Sequence, residues 1–161
     1  MLVLKWKHGT TELKVGDERT LDCSCRVRNF ENGKRRKWEV VHTMPNGKPY
    51  QPVEFPVGRW EVGRPIARNQ VDLAPFFIPT DACAEVQVWS VTNGCYEKAL
   101  EEWDTDRSYG IHHSSYSTTL GCVKIESRDE LLWLVDRVQK ELGSGEKVFF
   151  EVEENDAAQE G

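Results

Sequence analysis

A pair of histidines and a cysteine stand close together in the second half of the 161-residue chain. His112 and His113 are adjacent, and Cys122 follows His112 by ten residues. A cysteine is a nucleophile only as the thiolate, and an imidazole that accepts its proton can produce that form. The spacing therefore predicts Cys122 as a nucleophile with one of the two histidines as its base.

Two short strands joined by a loop rich in hydroxyl groups would bring these residues side by side. Ile111 and Val123 are the apolar neighbours that would anchor such strands in a core. Consecutive strand residues face opposite sides of a sheet, so only one of the two histidines can face the cysteine. Gly121 permits a sharp turn and a close approach of substrate, and we expect its N–H and that of Cys122 to stabilise an oxyanion.

The elements that must position these residues are mostly strands. Short apolar-rich or alternating runs predict strands over residues 2–6, 12–15, 20–27, 38–42, 60–62, 84–91 and 147–152. One or two helical turns are expected from Glu97 to Trp103. Ser127 and Glu130 form a capping-box pattern, and apolar residues at helical spacing then predict a helix that Gly143 stops. The expected fold is therefore mainly β (α+β), a sandwich or barrel-like sheet with one helix after the cysteine.

Length and charge limit the classes of protein that this chain can belong to. We expect one domain over residues 1–152 and an acidic, flexible tail over 153–161. The net charge is −6, and the only basic run, residues 34–37, follows a turn signal, so no nucleic-acid partner is expected. No apolar stretch approaches the roughly 18 residues of a membrane span.

The segment around the cysteine resembles the catalytic motif of the L,D-transpeptidase (YkuD-like) family. That motif is an apolar residue and His, a loop, and then Ser/Thr-x-Gly-Cys-apolar-Arg/Asn. Ile111-His112 matches its first part, and the stretch from Thr119 to Lys124 matches its second. Residues 55–62 resemble the family's Thr-Pro-x-Gly-x-aromatic-x-apolar strand, and the resemblance covers roughly residues 45–152.

The resemblance implies a reaction and a role for each site residue. The Cys122 thiolate would attack a carbonyl in a peptidoglycan stem peptide and release a D-amino acid from a thioester. Water would then give L,D-carboxypeptidase or endopeptidase activity, and an amine would give cross-linking or exchange. The family alignment favours His112 as the base over His113, whose carbonyl would orient the imidazole. No metal or organic cofactor is implied.

Four further residues are candidates for substrate binding. They are Thr119, Lys124, Arg107 and Tyr116, with solvated surface charge as the alternative for the two cations.

Three departures from the family motif indicate which relatives are most similar. Leu120 stands where the family usually has His, Lys124 stands where it has Arg or Asn, and the ten-residue spacing is short. Short loops occur in phage proteins and in toxins delivered by type VI secretion, which lack an export signal.

The expected location follows from the same resemblance. The first residues lack a long apolar stretch and a small-residue cleavage site, so we expect synthesis in the cytoplasm without a signal peptide. Action would be in the periplasm or cell wall, after delivery by a holin or a secretion system. An effector of that type would also have an immunity protein as partner. The oligomeric state is left open.

Two other interpretations compete with an enzyme of this kind. The chain could be a degraded module that binds peptidoglycan without turnover, which Leu120 favours. It could also be a virion protein that keeps only the fold. Cys23 and Cys25 suggest a metal site, but a structural zinc site needs four ligands and this pair has no partner pair, so no metal is expected.

Overall fold

The computed structural model describes residues 1–26, 50–51, 53–68, 76–85, 87–90, 92–93, 95–98, 105–106, 109–114 and 121–155. These segments are mainly β with one α-helix, as predicted. The strands are β1 (Leu2–Lys7), β2 (Glu12–Val15), β3 (Arg19–Ser24), β4 (Tyr50–Gln51), β5 (Gly58–Glu61), β6 (Ile66–Ala67), β7 (Phe76–Pro79), β8 (Ala84–Glu85), β9 (Gln87–Ser90), β10 (Cys95–Lys98), β11 (Thr105–Asp106), β12 (Gly110–His112), β13 (Val123–Ile125) and β14 (Val148–Glu153). The helix α1 (Arg128–Gly143) lies between β13 and β14.

Nine of these strands form one mixed sheet in the order β5-β14-β1-β2-β3-β13-β12-β7-β6. The pairs β1–β14 and β12–β13 are parallel, and the others in this sheet are antiparallel. Two smaller sheets, β10-β9-β4 and β11-β8, accompany it. The first and last segments of the chain that belong to the main sheet, β1 and β14, therefore lie side by side, as the third and second strands from one edge.

The two edges of the nine-stranded sheet are joined by one stretch of chain. That stretch pairs with β14 through β5 at its start and with β7 through β6 at its end. Between these strands, Val62 bridges to Thr80, and the Gly63 N–H donates to the Pro79 carbonyl at 2.9 Å. The sheet therefore curls on itself in a barrel-like way, because the same chain segment supplies hydrogen bonds at both edges.

The core lies on the concave side of the curled sheet. Alternate residues of β1 (Leu2, Leu4 and Trp6) are buried there, as period-2 patterning requires. The helix α1 contacts β7, β13 and β14, which are far apart in the sheet order, so the sheet must curve around it. Four helix residues at helical spacing are buried in this contact, namely Leu131, Leu134, Val135 and Val138.

Ser127 begins the helix as predicted. It has an extended backbone, and its hydroxyl accepts a hydrogen bond from the Glu130 N–H at 3.3 Å. The Glu130 carboxylate lies 3.6 Å from the Arg19 guanidinium. Gly143 is the last helical residue rather than the first beyond the helix, and the Ser144 N–H closes the last turn on the Lys140 carbonyl.

Several predicted boundaries differ from the structure. Glu97 and Lys98 belong to β10, not to a helical turn, because antiparallel pairing with β9 supplies their backbone hydrogen bonds. The predicted strand over residues 84–91 is divided between β8 and β9, and the strand predicted from residue 20 runs instead from Arg19 to Ser24. Glu153 closes β14 rather than starting a tail. The strand predicted at 38–42 and the tail from 156 onward lie outside the described residues.

One further observation concerns membranes. Among the segments that the structure describes, no helix is long and apolar enough to cross a bilayer.

Removing the Ser127 hydroxyl should weaken the start of the helix. We expect Ser127→Ala to lower the free energy of unfolding by about 1 kcal/mol, because the Glu130 N–H in the first turn of the helix loses its acceptor. Ser127→Asp is the matched control, since its carboxylate accepts the same bond and suits the positive end of the helix dipole. Urea denaturation measures both, and equal stability of the alanine variant and the parent would contradict the capping role.

Candidate active site

The parallel pairing of β12 with β13 brings the predicted histidine and cysteine strands together. Ile111 pairs with Val123 and His112 pairs with Lys124. Because paired residues share a face and faces alternate along an extended chain, we assign Cys122, the residue directly before β13, to the same face as His112 and Lys124. We call this the outer face, since Ile111 and Val123 are fully buried in the core on the other side.

The two histidines lie in different surroundings. By alternation His113 turns towards the opposite side from His112, and its Nδ1 lies 2.8 Å from the Ile125 carbonyl oxygen. A carbonyl only accepts, so this Nδ1 is assigned as the protonated nitrogen. His113 is thus held against the backbone of β13, and His112 is the histidine that shares a face with Cys122.

Two residues that the sequence did not single out, Phe77 and Arg68, complete the site. Ile78 pairs with Ile111, which puts Phe77 beside His112 on the outer face, with 6.4 Å between the ring centroids. Arg68 follows β6, and its Cζ lies 4.1 Å from the centroid of the Phe77 ring. We call Arg68, Phe77, His112, Cys122 and Lys124 the outer-face cluster.

The imidazole of His112 is neutral at neutral pH. Burial lowers its pKa to about 4, and the charge of Arg68 and then those of His113 and Lys124 act in the same direction, against a smaller opposing effect of the His113 backbone. Its Nδ1 is buried, and within the described part of the chain it has no hydrogen-bond partner. His112 is therefore available as a proton acceptor but is a weak one.

This low pKa limits what His112 can do to a thiol. An ordinary thiol has a pKa of about 8.5, so in the resting state the proton favours the sulfur over an imidazole with a pKa of about 4. A resting ion pair of thiolate and imidazolium is therefore unfavourable at this position. A neutral His112 can still accept a proton from a group that becomes strongly acidic during a reaction.

Arg68 supplies positive charge close to the cysteine. Burial lowers the pKa of its guanidinium, and the interaction with Cys122 raises it. Lys124 is a second cation in the cluster and is not a solvated surface charge: it is 8% exposed and its Nζ lies 3.6 Å from a Glu126 carboxylate oxygen. The outer-face cluster thus has two cations and one neutral imidazole on the same side of the sheet as Cys122.

Gly121 determines how the chain enters β13. Its φ is +113°, and a Cβ on it would lie 2.5 Å from the Val53 carbonyl oxygen and 2.6 Å from the Tyr109 ring. Tyr109 is itself buried and donates from its hydroxyl to the same Val53 carbonyl at 3.1 Å. The Cys25 thiol donates to the Gly121 carbonyl at 3.2 Å. The peptide just before Cys122 is therefore held by packing and by a hydrogen bond.

Several of the remaining predictions about the site concern residues that the structure does not describe. Thr119, Arg107 and Tyr116, together with Leu120, lie outside the described residues, so their roles stay predictions. The role of the Gly121 and Cys122 amides at an oxyanion also stays a prediction. No periodic pattern marks Arg68 or Phe77, because Pro65, Pro75 and Pro79 interrupt the sequence around them. The strands next to them are placed by pairing, β7 with β12 and β6 with β7.

Cys23 of β3 belongs to the core side. Cys23 is fully buried, and burial raises the pKa of its thiol to about 12, so it is unreactive at neutral pH. Within the described segments, no three His, Cys, Asp or Glu side chains are placed to share a metal ion.

His112 should make the folded chain sensitive to acid. Between about pH 6.5 and pH 4 the unfolded chain binds a proton at His112 that the folded chain does not, so stability is lost as the pH falls through this window. Urea denaturation at pH 7 and pH 4.5 measures how far the free energy of unfolding falls with acid. We expect this decrease to be about 2–3 kcal/mol smaller in His112→Gln than in the parent. Equal acid losses in the two proteins would contradict the buried, neutral state of His112.

Gly121 should tolerate no side chain. We expect Gly121→Ala to destabilise the fold by at least about 2 kcal/mol, because the new Cβ meets a backbone oxygen at a positive φ. Gly143→Ala is the matched control: a Cβ there meets nothing within 4 Å, and we expect a gain of up to about 1 kcal/mol in the helix. The urea concentrations at the unfolding midpoints of the two variants test this prediction. Similar midpoints for Gly121→Ala and Gly143→Ala would refute it.

The comparisons with known proteins concern the whole chain. No model of a known protein family, no curated protein and no solved structure gives a significant match to it. The likeness to the L,D-transpeptidase family therefore depends on the motif residues of this chain, from Ile111 to Lys124, and on the elements around them. What the outer-face cluster does must be inferred from its own geometry and charges.

Proposed function

We propose that this chain is a cysteine peptidase or transpeptidase that acts on peptidoglycan stem peptides through a thioester at Cys122. The observation that carries the proposal is the register of β12 and β13, since His112 and Cys122 share one face next to Arg68. Three further features support it: the motif residues, the capped helix directly after β13, and the closing strand β14. On this proposal the curled sheet is a variant of the L,D-transpeptidase fold.

The proposed reaction has two steps. The Cys122 thiolate attacks the carbonyl carbon of the scissile amide, the C–N bond breaks, and the amine of a D-amino acid or peptide leaves with a proton taken from solvent water. Water then attacks the thioester, which restores the thiol and frees a carboxylate. We favour water over an amine acceptor, so the product is that of an L,D-carboxypeptidase or endopeptidase.

His112 has its main role in the second step of this proposal. A neutral imidazole can accept the proton of the attacking water as the oxygen becomes acidic in the transition state. The low pKa, about 4, keeps His112 in this neutral form over the whole physiological range. Lys124 and Arg68 then offer positive charge to the stem-peptide carboxylate and to the oxyanion that develops.

A second candidate function is a module that binds peptidoglycan without cleaving it. The observation that favours it is the same low pKa of His112, because a base of this strength cannot deprotonate a thiol in the resting state. The cations Arg68 and Lys124 would still bind the carboxylates of muropeptides. A virion protein that retains only the fold would show neither binding nor cleavage.

The setting of the proposed enzyme is the bacterial cell wall. It would act there as a phage lysin or as a secreted effector, after delivery through a holin or a secretion system. In the effector case an immunity protein would be its protein partner. Peptidoglycan is the partner common to both settings, so it is the substrate with which the proposal is tested.

Cleavage of purified peptidoglycan should depend on Cys122. We expect the parent chain to release muropeptides shortened at the stem, detected by mass spectrometry, and Cys122→Ala to release none, because it has no nucleophile. Cys83→Ala is the matched control: this free, half-buried thiol lies outside the outer-face cluster, and its loss should leave the rate unchanged.

Each other result has a distinct meaning. Cleavage that persists in Cys122→Ala would remove the nucleophile assignment. A parent chain that sediments with peptidoglycan but releases nothing would favour the binding module. Absence of both binding and cleavage, in a chain shown to be folded by circular dichroism, would refute a role in peptidoglycan chemistry.

A further inference from the structure

The Arg68 guanidinium is stacked on an aromatic ring. Its Cζ lies 4.1 Å above the Phe77 ring, a distance that suits a cation–π contact. Phe77 is fixed in turn by the antiparallel pairing of β7 with β12 and with β6. The side chain is therefore oriented towards the outer-face cluster by this aromatic contact.

Within the segments that the structure describes, Arg68 differs from the surface arginines in having no carboxylate partner. Three of those lie close to carboxylates: Arg19 to Glu130 at 3.6 Å, Arg59 to Glu151 at 3.9 Å and Arg137 to Glu18 at 2.8 Å. No carboxylate of the described segments lies within 4.0 Å of the Arg68 guanidinium. Among titratable groups it interacts with Cys122, which raises its pKa, and with His112, whose pKa it lowers.

The other charged groups of the cluster are less suited to act on the cysteine. Lys124 has part of its charge neutralised by Glu126, whose carboxylate lies 3.6 Å from Nζ. His112 is uncharged at neutral pH, so it offers no positive charge to a thiolate. Arg68 carries its charge at every physiological pH, and partial burial strengthens its field because the surroundings screen it less than water does.

We propose that Arg68, stacked on Phe77, is the counter-charge that holds Cys122 as a thiolate, in place of an imidazolium at His112. The nucleophile then exists before substrate arrives and loses its proton to solvent instead of to a base. This inference rests on the proposed function only for its use in catalysis. The ionisation of Cys122 itself is a property of the folded chain without substrate.

Alkylation of Cys122 by iodoacetamide measures this ionisation directly. The full-length chain is alkylated over a range of pH, and the modified Cys122 peptide is quantified by mass spectrometry. Because an opposite charge within about 4–6 Å favours the ionised form by one to three pK units, we expect Arg68→Gln to move the midpoint of the pH–rate profile up by about one unit or more. Arg68→Lys should restore part of the shift, since it keeps the charge and loses the planar stacking.

Two controls separate the charge from the fold. Arg64→Gln removes an exposed arginine four residues earlier in the chain and should leave the midpoint unchanged. Arg68→Met keeps an apolar side chain over Phe77 without the charge and should behave like Arg68→Gln. Cys23 reports unfolding in every sample, because a thiol that is 1% exposed stays unmodified only while the core is intact.

The inference is overturned if the midpoint is unchanged in both Arg68→Gln and Arg68→Met. It is equally overturned if His112→Gln raises the midpoint as much as Arg68→Gln does, because the imidazole would then be the counter-charge. Failure of the proposed function looks different: the parent would show the Arg68-dependent midpoint and yet release no muropeptides. Cleavage without any Arg68 dependence would retain the enzyme and discard this inference.

Discussion

The register between β12 and β13 is the constraint on which the site depends. Pairing Ile111 with Val123 buries both side chains in the core, and the same register forces His112, Lys124 and Cys122 to the outer face. A slip of one residue would reverse every one of these assignments, because strand side chains alternate with a period of two. The energy that buries two apolar side chains thus also selects which histidine accompanies the cysteine.

The curled sheet makes this register possible. Parallel neighbours cannot be joined by a tight hairpin, so β12 and β13 are held in place by their outer neighbours, β7 and β3. The stretch from β5 to β6 then ties β7 to the far edge at β14, and α1 fills the concave side. The position of Cys122 is therefore a consequence of closure of the whole sheet, with Gly121 as the residue that admits the close approach.

Burial changes the chemistry of the cluster in a direction that a motif cannot reveal. His112 and Arg68 both lose solvation, and for both the pKa is lowered. For the arginine the charge survives, since its ordinary pKa is far above neutrality, whereas the histidine becomes neutral. One environment thus separates the two roles that a single imidazole would otherwise combine, with charge at Arg68 and proton acceptance at His112.

The sequence by itself determined the mainly β class, the helix that begins after Ser127, the closing strand, and the presence of a cysteine and a histidine on neighbouring strands. These follow from local patterns, namely alternation, a capping box and a short motif, which act over a few residues. Only the tertiary structure decided that β12 and β13 run parallel, that Glu97 and Lys98 form a strand, and that Arg68 and Phe77 join the site. Those results depend on pairing between distant segments and on burial, and neither leaves a periodic signal in the chain.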